Sequence, residues 1–358
     1  MSDESGRPTE ALDLDDARRR YHFALAPEDL DRLPFYSALL ARLESDDVAL
    51  KLLASVRVEQ RNPMLVLAAL HRAALLGHPV LTPVYEVIRH GVATDVDVAA
   101  DAVVEVVRHD PEIVRAQMWR STQTNEPGRS AVLQAVVRDL VEPGHTMAVI
   151  DVGTSAGINL NFDRFPVRAR DDADPLTLVC EDEGPVDRVT PLPRVGARVG
   201  IDPNPLDLDD DDDRLWLKAC LWLEERRRHE RFDAIVARYR TWPPVTLLAG
   251  GALERLDDAL ALAAGDDVRV VVNTWSAFYF GEPERRAYYE ALRELGASTN
   301  VAWVSVESTL VAWPDLEEAT DERRRGASQV VVSRPGEAPV RWGWCHPHGR
   351  WVERRSRP

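Results

Sequence analysis

Apolar residues recur mostly at helical spacing from about Asp13 to Val141, with breaks at Pro34, Asn62-Pro63, Pro79, Pro83, Pro111 and Pro127. PFYSALLARLESD, PMLVLAALHRAALLG and VAADAVVEVVRHDPEIVRAQM read as helices, with prolines near their starts and Gly77 near an end. Nothing in this region alternates with period two. The pattern predicts a helical cap domain over 13–141, after a polar, acidic tail over 1–12 (MSDESGRPTE and on) expected to be disordered.

The period changes after the helix Pro127 to Leu140 and the turn Glu142 to His145. Met147 to Val152 is a short buried-strand run bounded by turns, and Arg198 to Asp202 is another. Leu176 to Glu181, surrounded by Pro and Gly, reads as part of an inserted hairpin. An amphipathic helical stretch starts at Asp213, in one or two pieces. It is followed by the strand Val245 to Leu248, the helix Ala252 to Ala264, the strand Val268 to Asn273, the helix Pro283 to Gly296 and the strand Val301 to Val306. Gln329 to Arg334 and Pro339 to His346, joined by PGEA, read as a terminal hairpin. Strands alternating with helices of this length imply an α/β fold: a doubly wound, mostly parallel seven-stranded sheet over 142–352, with an antiparallel edge from the hairpin. Residues 353–358 then form a charged tail.

Composition narrows the setting. The 358 residues are 45% hydrophobic, enough for a large core. They carry 60 acidic against 44 basic residues, a formal charge of -16, and Lys51 and Lys218 are the only lysines. This surface fits a halophilic, high-salt cytoplasm or a compositional bias, and it makes nucleic acid an unexpected partner. No run approaches the roughly 18 apolar residues of a membrane span, and the start lacks the basic and apolar regions of an export signal. The widely separated Cys180, Cys220 and Cys345 suit a reducing compartment, so a soluble cytoplasmic protein is expected. Asp207 to Arg214 reads as a solvated acidic loop, and Cys345-His346 with His348 lacks the second close pair of a metal site.

The chemistry centres on VIDVGTSAGINLNFDRF, Val149 to Phe165. Gly153-Thr154-Ser155-Ala156-Gly157 satisfies the nucleophile elbow of serine hydrolases, with His346 or His348 and Asp233 or Asp257 as later partners. The strand that enters it is the first after a long helical region, so the upstream strands of a hydrolase are missing. The loop equally suits a cofactor cradle, with Gly153 turning the chain, Gly157 permitting close approach and Asp151 accepting bonds from a ligand. Ile158 breaks the dinucleotide glycine spacing, and no Lys follows in the order of a phosphate loop.

Asp202, closing ARVGID, stands where an acid meets ribose hydroxyls, with Glu181 competing if the Leu176 strand is the neighbour; an Asx turn before Pro203 is the plain alternative. Asn159 and Asp163 share a face if an α-helix follows Gly157, which would let Asn159 reach the cofactor. On the substrate side, Asn273, Trp275 and Tyr279 follow a central strand and could hold a nucleophile and wall it in, or pack the sheet. In TNEPGR, Glu126 and Arg129 could close over an anionic group or tie the helical domain to the sheet.

Asp151, Gly153, Ser155 and Gly157 resemble the glycine motif of class I S-adenosylmethionine-dependent methyltransferases, with Ser155 in place of the middle glycine. The longer set TQTNEPGRS, DVGTSAGINLNFDRF, GIDPNPLDL, WLKACLW and VVVNTWSAFYF is similar to a family of bacterial and haloarchaeal proteins carrying a domain of unknown function. The resemblance covers most of the chain and implies a methyltransferase-like sheet. Asp151, Gly153, Ser155 and Gly157 would then meet the methionine end of S-adenosylmethionine, and Asp202 the ribose. Gly250-Gly251 stands where such enzymes place an acid for the adenine. The expected activity is methyl transfer to a small-molecule or macromolecular substrate; a noncatalytic ligand-binding or scaffold protein and a serine hydrolase are the alternatives.

Overall fold

The computed structural model describes residues 13–25, 27–56, 61–298, 300–311, 313 and 326–355. The tail expected over 1–12 lies outside the described residues. Contacts divide the chain into two compact units, Met1–Thr124 with Asp209–Phe232 and Asn125–Leu208 with Asp233–Pro358.

The first unit is helical among its described residues, and several of its helices start where an N-cap side chain satisfies free amides of the first turn. Asp46 accepts from Val48 N and Ala49 N ahead of Asp47–Ala54, and Asn62 accepts from Met64 N ahead of Pro63–Leu75. The acidic run expected as a solvated loop begins a helix instead. Asp210 accepts from Asp212 N and Asp213 N, and Asp211 to Asp213 form the first turn of Asp211–Ala219. Negative charge is favourable at that end of a helix, and Asp212 also pairs with Arg72 and Arg120.

Inside this unit two histidines are buried as bases. His71 is 1% exposed with Nδ1 3.1 Å from the Ala219 carbonyl; His229 is 2% exposed with Nε2 3.1 Å from the Trp222 carbonyl. Carbonyls only accept, so each of those nitrogens carries a proton and donates. The rings lie 5.5 Å apart, edge to face. Burial pulls His71 down to about 3 and His229 to about 4.

The second unit holds the strands. In chain order they are β1 (Thr146–Val152), β2 (Val167–Arg168), β3 (Leu178–Val179), β4 (Glu181–Glu183), β5 (Arg194–Asp202), β6 (Thr246–Ala249), β7 (Val268–Thr274), β8 (Val301–Ser308), β9 (Ser328–Ser333), β10 (Val340–Cys345) and β11 (Trp351–Arg354). Nine make one mostly parallel sheet, ordered β4-β11-β10-β9-β8-β7-β1-β5-β6, while β2 and β3 pair separately. The α/β reading and the β9–β10 hairpin hold, but the sheet has nine strands rather than seven. One extra strand is β11, which runs into the expected charged tail: Glu353 and Arg354 pair with Trp344 and Gly343 of β10. The other is β4. The Leu176 segment is no hairpin, since its pairings are parallel: β3 with the preceding β2 and β4 with the distant β11.

Both faces of β1 are buried, which is why it reads as a continuous apolar run. Ala148, Ile150 and Val152 face a cluster with Leu256, Tyr288, Tyr289 and Trp303. Each such large apolar side chain contributes about 1.5–3 kcal/mol on burial. The five strands β6-β5-β1-β7-β8 run parallel in the order 3-2-1-4-5 of a doubly wound sheet. The winding direction reverses between β1 and β7, and in such sheets ligands bind beyond the carboxyl ends at that point.

Candidate functional site

Val152 pairs with Ile201 on one side and with Asn273 on the other, so β1, β5 and β7 end level. β1 runs directly into the glycine turn. Gly153 has φ +78, and a Cβ there would collide with the Ser276 Cβ, so this position needs glycine both for the turn and for the close approach of the chain after β7. The amides of Gly153 and Thr154 donate to the Ile201 carbonyl at 2.8 and 3.2 Å, and the Ser155 amide donates to Asp202 Oδ2 at 2.8 Å. Gly157 N donates to the Thr154 carbonyl at 2.9 Å. These four amides are therefore spent inside the fold and do not cradle an anion. What the turn presents is the Asp151 carboxyl and the Ser155 hydroxyl.

Asp151 is 3% exposed, and burial, reinforced by the neighbouring Asp202 carboxylate, pushes its carboxyl up to about 7 against the pull of the Arg129 guanidinium. Ser155 sits at φ +54, with its hydroxyl buried and without a hydrogen-bond partner. No histidine is bonded to it, so it lacks the base that a serine nucleophile uses.

Asp202 closes the Asx turn that sequence offered as the plain alternative to a ribose contact, and it also anchors the glycine turn. Its Oδ1 accepts from Asn204 N at 2.9 Å, closing an Asx turn, and its Oδ2 anchors the loop. Glu181 takes no part: it lies in β4, six strands from β1, roughly 29 Å away at a usual strand spacing. The segment after Gly157 is a 3-10 helix, Ile158–Arg164, kinked at Asn161, so Asn159 and Asp163 do not share an α-helical face. Asn159 Oδ1 accepts from Ser130 Oγ at 3.0 Å, and Asp163 holds the buried Arg198 at 2.7 and 2.9 Å.

On the other side of the turn, every polar atom of the Asn273 side chain is engaged. Nδ2 donates to Ser305 Oγ and Glu307 Oε1, both at 2.9 Å, and Oδ1 accepts from Trp303 Nε1 at 2.7 Å. Its amide is thus occupied inside the fold. Trp275 has φ +59, with N donating to the Val306 carbonyl at 2.9 Å and Nε1 to Ser328 Oγ at 2.7 Å. Tyr279 is 67% exposed, so it walls no buried chamber, and it packs edge-on against Phe278.

Glu126 and Arg129 join parts of the sheet unit. Glu126 Oε1 accepts from Gly128 N at 2.8 Å, and its other oxygen lies 3.8 Å from His348 Nδ1. Arg129 donates to the Thr274 carbonyl at 2.9 Å and the Pro347 carbonyl at 3.1 Å, with its guanidinium 5.9 Å from the Trp275 ring centre. Backbone crosses backbone here: a Cβ on Gly128 would collide with the His348 carbonyl, and one on Gly349 with the Gly128 carbonyl. Sequence reasoning passed over Glu307, the fully buried acid that accepts from Asn273, Ser276 and Ala277. Its signal was an acid in VAWVSVES, in phase with the core residue Trp303.

Among the described residues, no group of three or more His, Cys, Asp or Glu converges to hold a metal ion, and no helix is long and apolar enough to cross a membrane. No curated protein and no solved structure matches the chain. A family match spans residues 19–354, and with it the chain belongs to the family described as uncharacterised proteins conserved in bacteria (DUF2332).

Proposed function

We propose that the turn after β1, with the ends of β5 and β7, binds S-adenosylmethionine, and that the protein is a methyltransferase. One observation carries the reading. Ser155 and Trp275 are the two non-glycine residues with positive φ among those described, and they follow the adjacent strands β1 and β7 where the winding reverses. Such backbone costs about 1–3 kcal/mol per residue and persists only where its surroundings over-determine it, most often at ligand sites. The buried, unpartnered Ser155 hydroxyl beside Asp151 suits a polar ligand. Asp151, the Ser155 hydroxyl and Asp202 would hold the cofactor, which supplies an activated methyl group, with Gly153 and Gly157 shaping the turn that sets them there. Asp151, with its carboxyl near 7, is divided at neutral pH between accepting and donating a hydrogen bond.

A second reading, a noncatalytic ligand-binding or scaffold protein on this fold, is favoured by Asn273, whose amide is wholly occupied inside the fold. Isothermal titration with S-adenosylmethionine and its demethylated product separates the two. The first reading expects saturable binding that Asp151→Ala weakens at least about tenfold. Absence of heat from either ligand at high protein concentration sinks it and favours the second. Covalent labelling of Ser155 by a fluorophosphonate would replace both with a hydrolase.

A further inference from the structure

Glu307 closes the core-facing side of β8, in phase with Trp303 and Ser305, and its two carboxyl oxygens are treated unequally. Oε1 accepts three hydrogen bonds, from Asn273 Nδ2 at 2.9 Å, Ser276 N at 2.9 Å and Ala277 N at 3.0 Å. Oε2 is buried and accepts none, and the neighbouring Ser276 Oγ is likewise buried without a partner. Three donors on one oxygen fix the carboxyl group in place. An unsatisfied buried polar atom costs about 1–3 kcal/mol, more when charged, so the fold holds these atoms ready for a donor it does not itself supply.

We propose that Glu307 Oε2 and Ser276 Oγ bind the N–H groups of an amine-bearing ligand. The inference rests on reading the β1/β7 crevice as a ligand site, because the Ser276 Cβ lies against Gly153 of the turn. The chemistry selects the class. A carboxylate oxygen calls for a donor, and an ammonium brings three donors and a charge, whereas a hydroxyl brings one donor and a phosphate is repelled. The ionisable groups acting on Glu307 and the crevice are Arg129 from the helix Arg129–Leu140, Asp151 from β1, and Tyr288 and Tyr289 from the helix Glu282–Ser298. Burial raises the Glu307 carboxyl, an effect that a bound cation would oppose. The segment that Glu307 holds reaches the surface quickly: Ser276 and Ala277 are buried, but Phe278 and Tyr279 are 42% and 67% exposed.

The test uses the full chain labelled with carbon-13 at the glutamate carboxyls, titrated with methylammonium chloride or tetramethylammonium chloride at equal ionic strength. The resonance missing from Glu307→Gln is assigned to Glu307. It should shift saturably with methylammonium and stay fixed with tetramethylammonium, which has no N–H. Glu307→Gln should weaken the methylammonium-induced rise in Tm at least about tenfold in apparent affinity, and Ser276→Ala, which keeps every backbone donor, about threefold. If Glu307→Gln fails to fold, the two salts on the native chain decide alone. An equal response to both salts, no response to either, or a water on Oε2 that methylammonium does not displace overturns the proposal. Titrating S-adenosylmethionine into the same samples keeps the two readings apart. An amine shift without cofactor binding overturns only the cofactor reading, and cofactor binding without an amine shift overturns only this one.

Discussion

The two units bury ionisable groups of opposite kind. In the helical unit His71 and His229 are bases kept neutral, each donating to a backbone carbonyl and pulled down to about 3 and about 4. In the sheet unit Asp151 and Glu307 are acids at strand ends, both raised by burial, Asp151 to about 7. Desolvation disfavours charge in both places, yet the consequences for pH run in opposite directions. A depressed histidine contributes stability that is full above its unfolded value near 6.5 and is lost as pH falls toward 3–4. A raised aspartate contributes stability that is full below its unfolded value near 3.8 and is lost as pH rises through about 7. Acid should therefore loosen the helices while relieving the strand ends.

The largest effect expected is on the helical unit. Between pH 7 and pH 3, amide exchange should accelerate in Pro63–Leu75 and not in β1, as read by exchange mass spectrometry. His71→Gln keeps a donor for the Ala219 carbonyl but cannot be protonated. It should remove up to about 5 kcal/mol of the acid loss, the worth of a descent from 6.5 to about 3. Identical acid sensitivity in both segments would break the contrast.

Asp151→Asn is the mirror experiment. Its gain in stability should grow from near zero below about pH 4 to about 4 kcal/mol above pH 7, matching the rise from 3.8 to about 7. Denaturant unfolding at pH 4 and pH 9 measures it, and a gain independent of pH would show that Asp151 is not buried as a charge. Smallest is the cost of rigid backbone at the strand ends. Gly153→Ala, at φ +78 and against Ser276, should cost about 2–3 kcal/mol. Gly144→Ala, at φ +94 in open space, should cost about 1 kcal/mol. Equal losses in the two variants would mean that the turn yields to Ser276.

Much of the fold could be read in the chain because its signals are local. Proline starts, glycine turns and apolar runs placed Pro34–Leu43, Pro63–Leu75 and Val96–His109 of the first unit and β1, β5, β6, β7 and β8 within a few residues. The errors came where structure depends on distant partners. β4 is acidic and exposed, and its pairing with Trp351 to Glu353 has no trace in its own composition. Glu353 and Arg354 read as a solvated tail because their charges show no apolar alternation, although β11 is paired by β10 on one side and β4 on the other. At the site, the glycine turn announced itself, since a left-handed bend demands it. Glu307 gave only its phase with Trp303: the amides of another strand's loop that bond its Oε1 carry no spacing that sequence can register.

The contact between Gly128 and Gly349 has a consequence for the order in which the protein is made. Arg129 donates to the Pro347 carbonyl, so the segment after β10 braces a residue synthesised more than two hundred positions earlier. A nascent chain can wind its helices as they emerge, but the brace over the β7 end forms only after translation has passed residue 349. Until then the strained turn at Trp275 lacks one of its constraints, and its final geometry awaits the last strand.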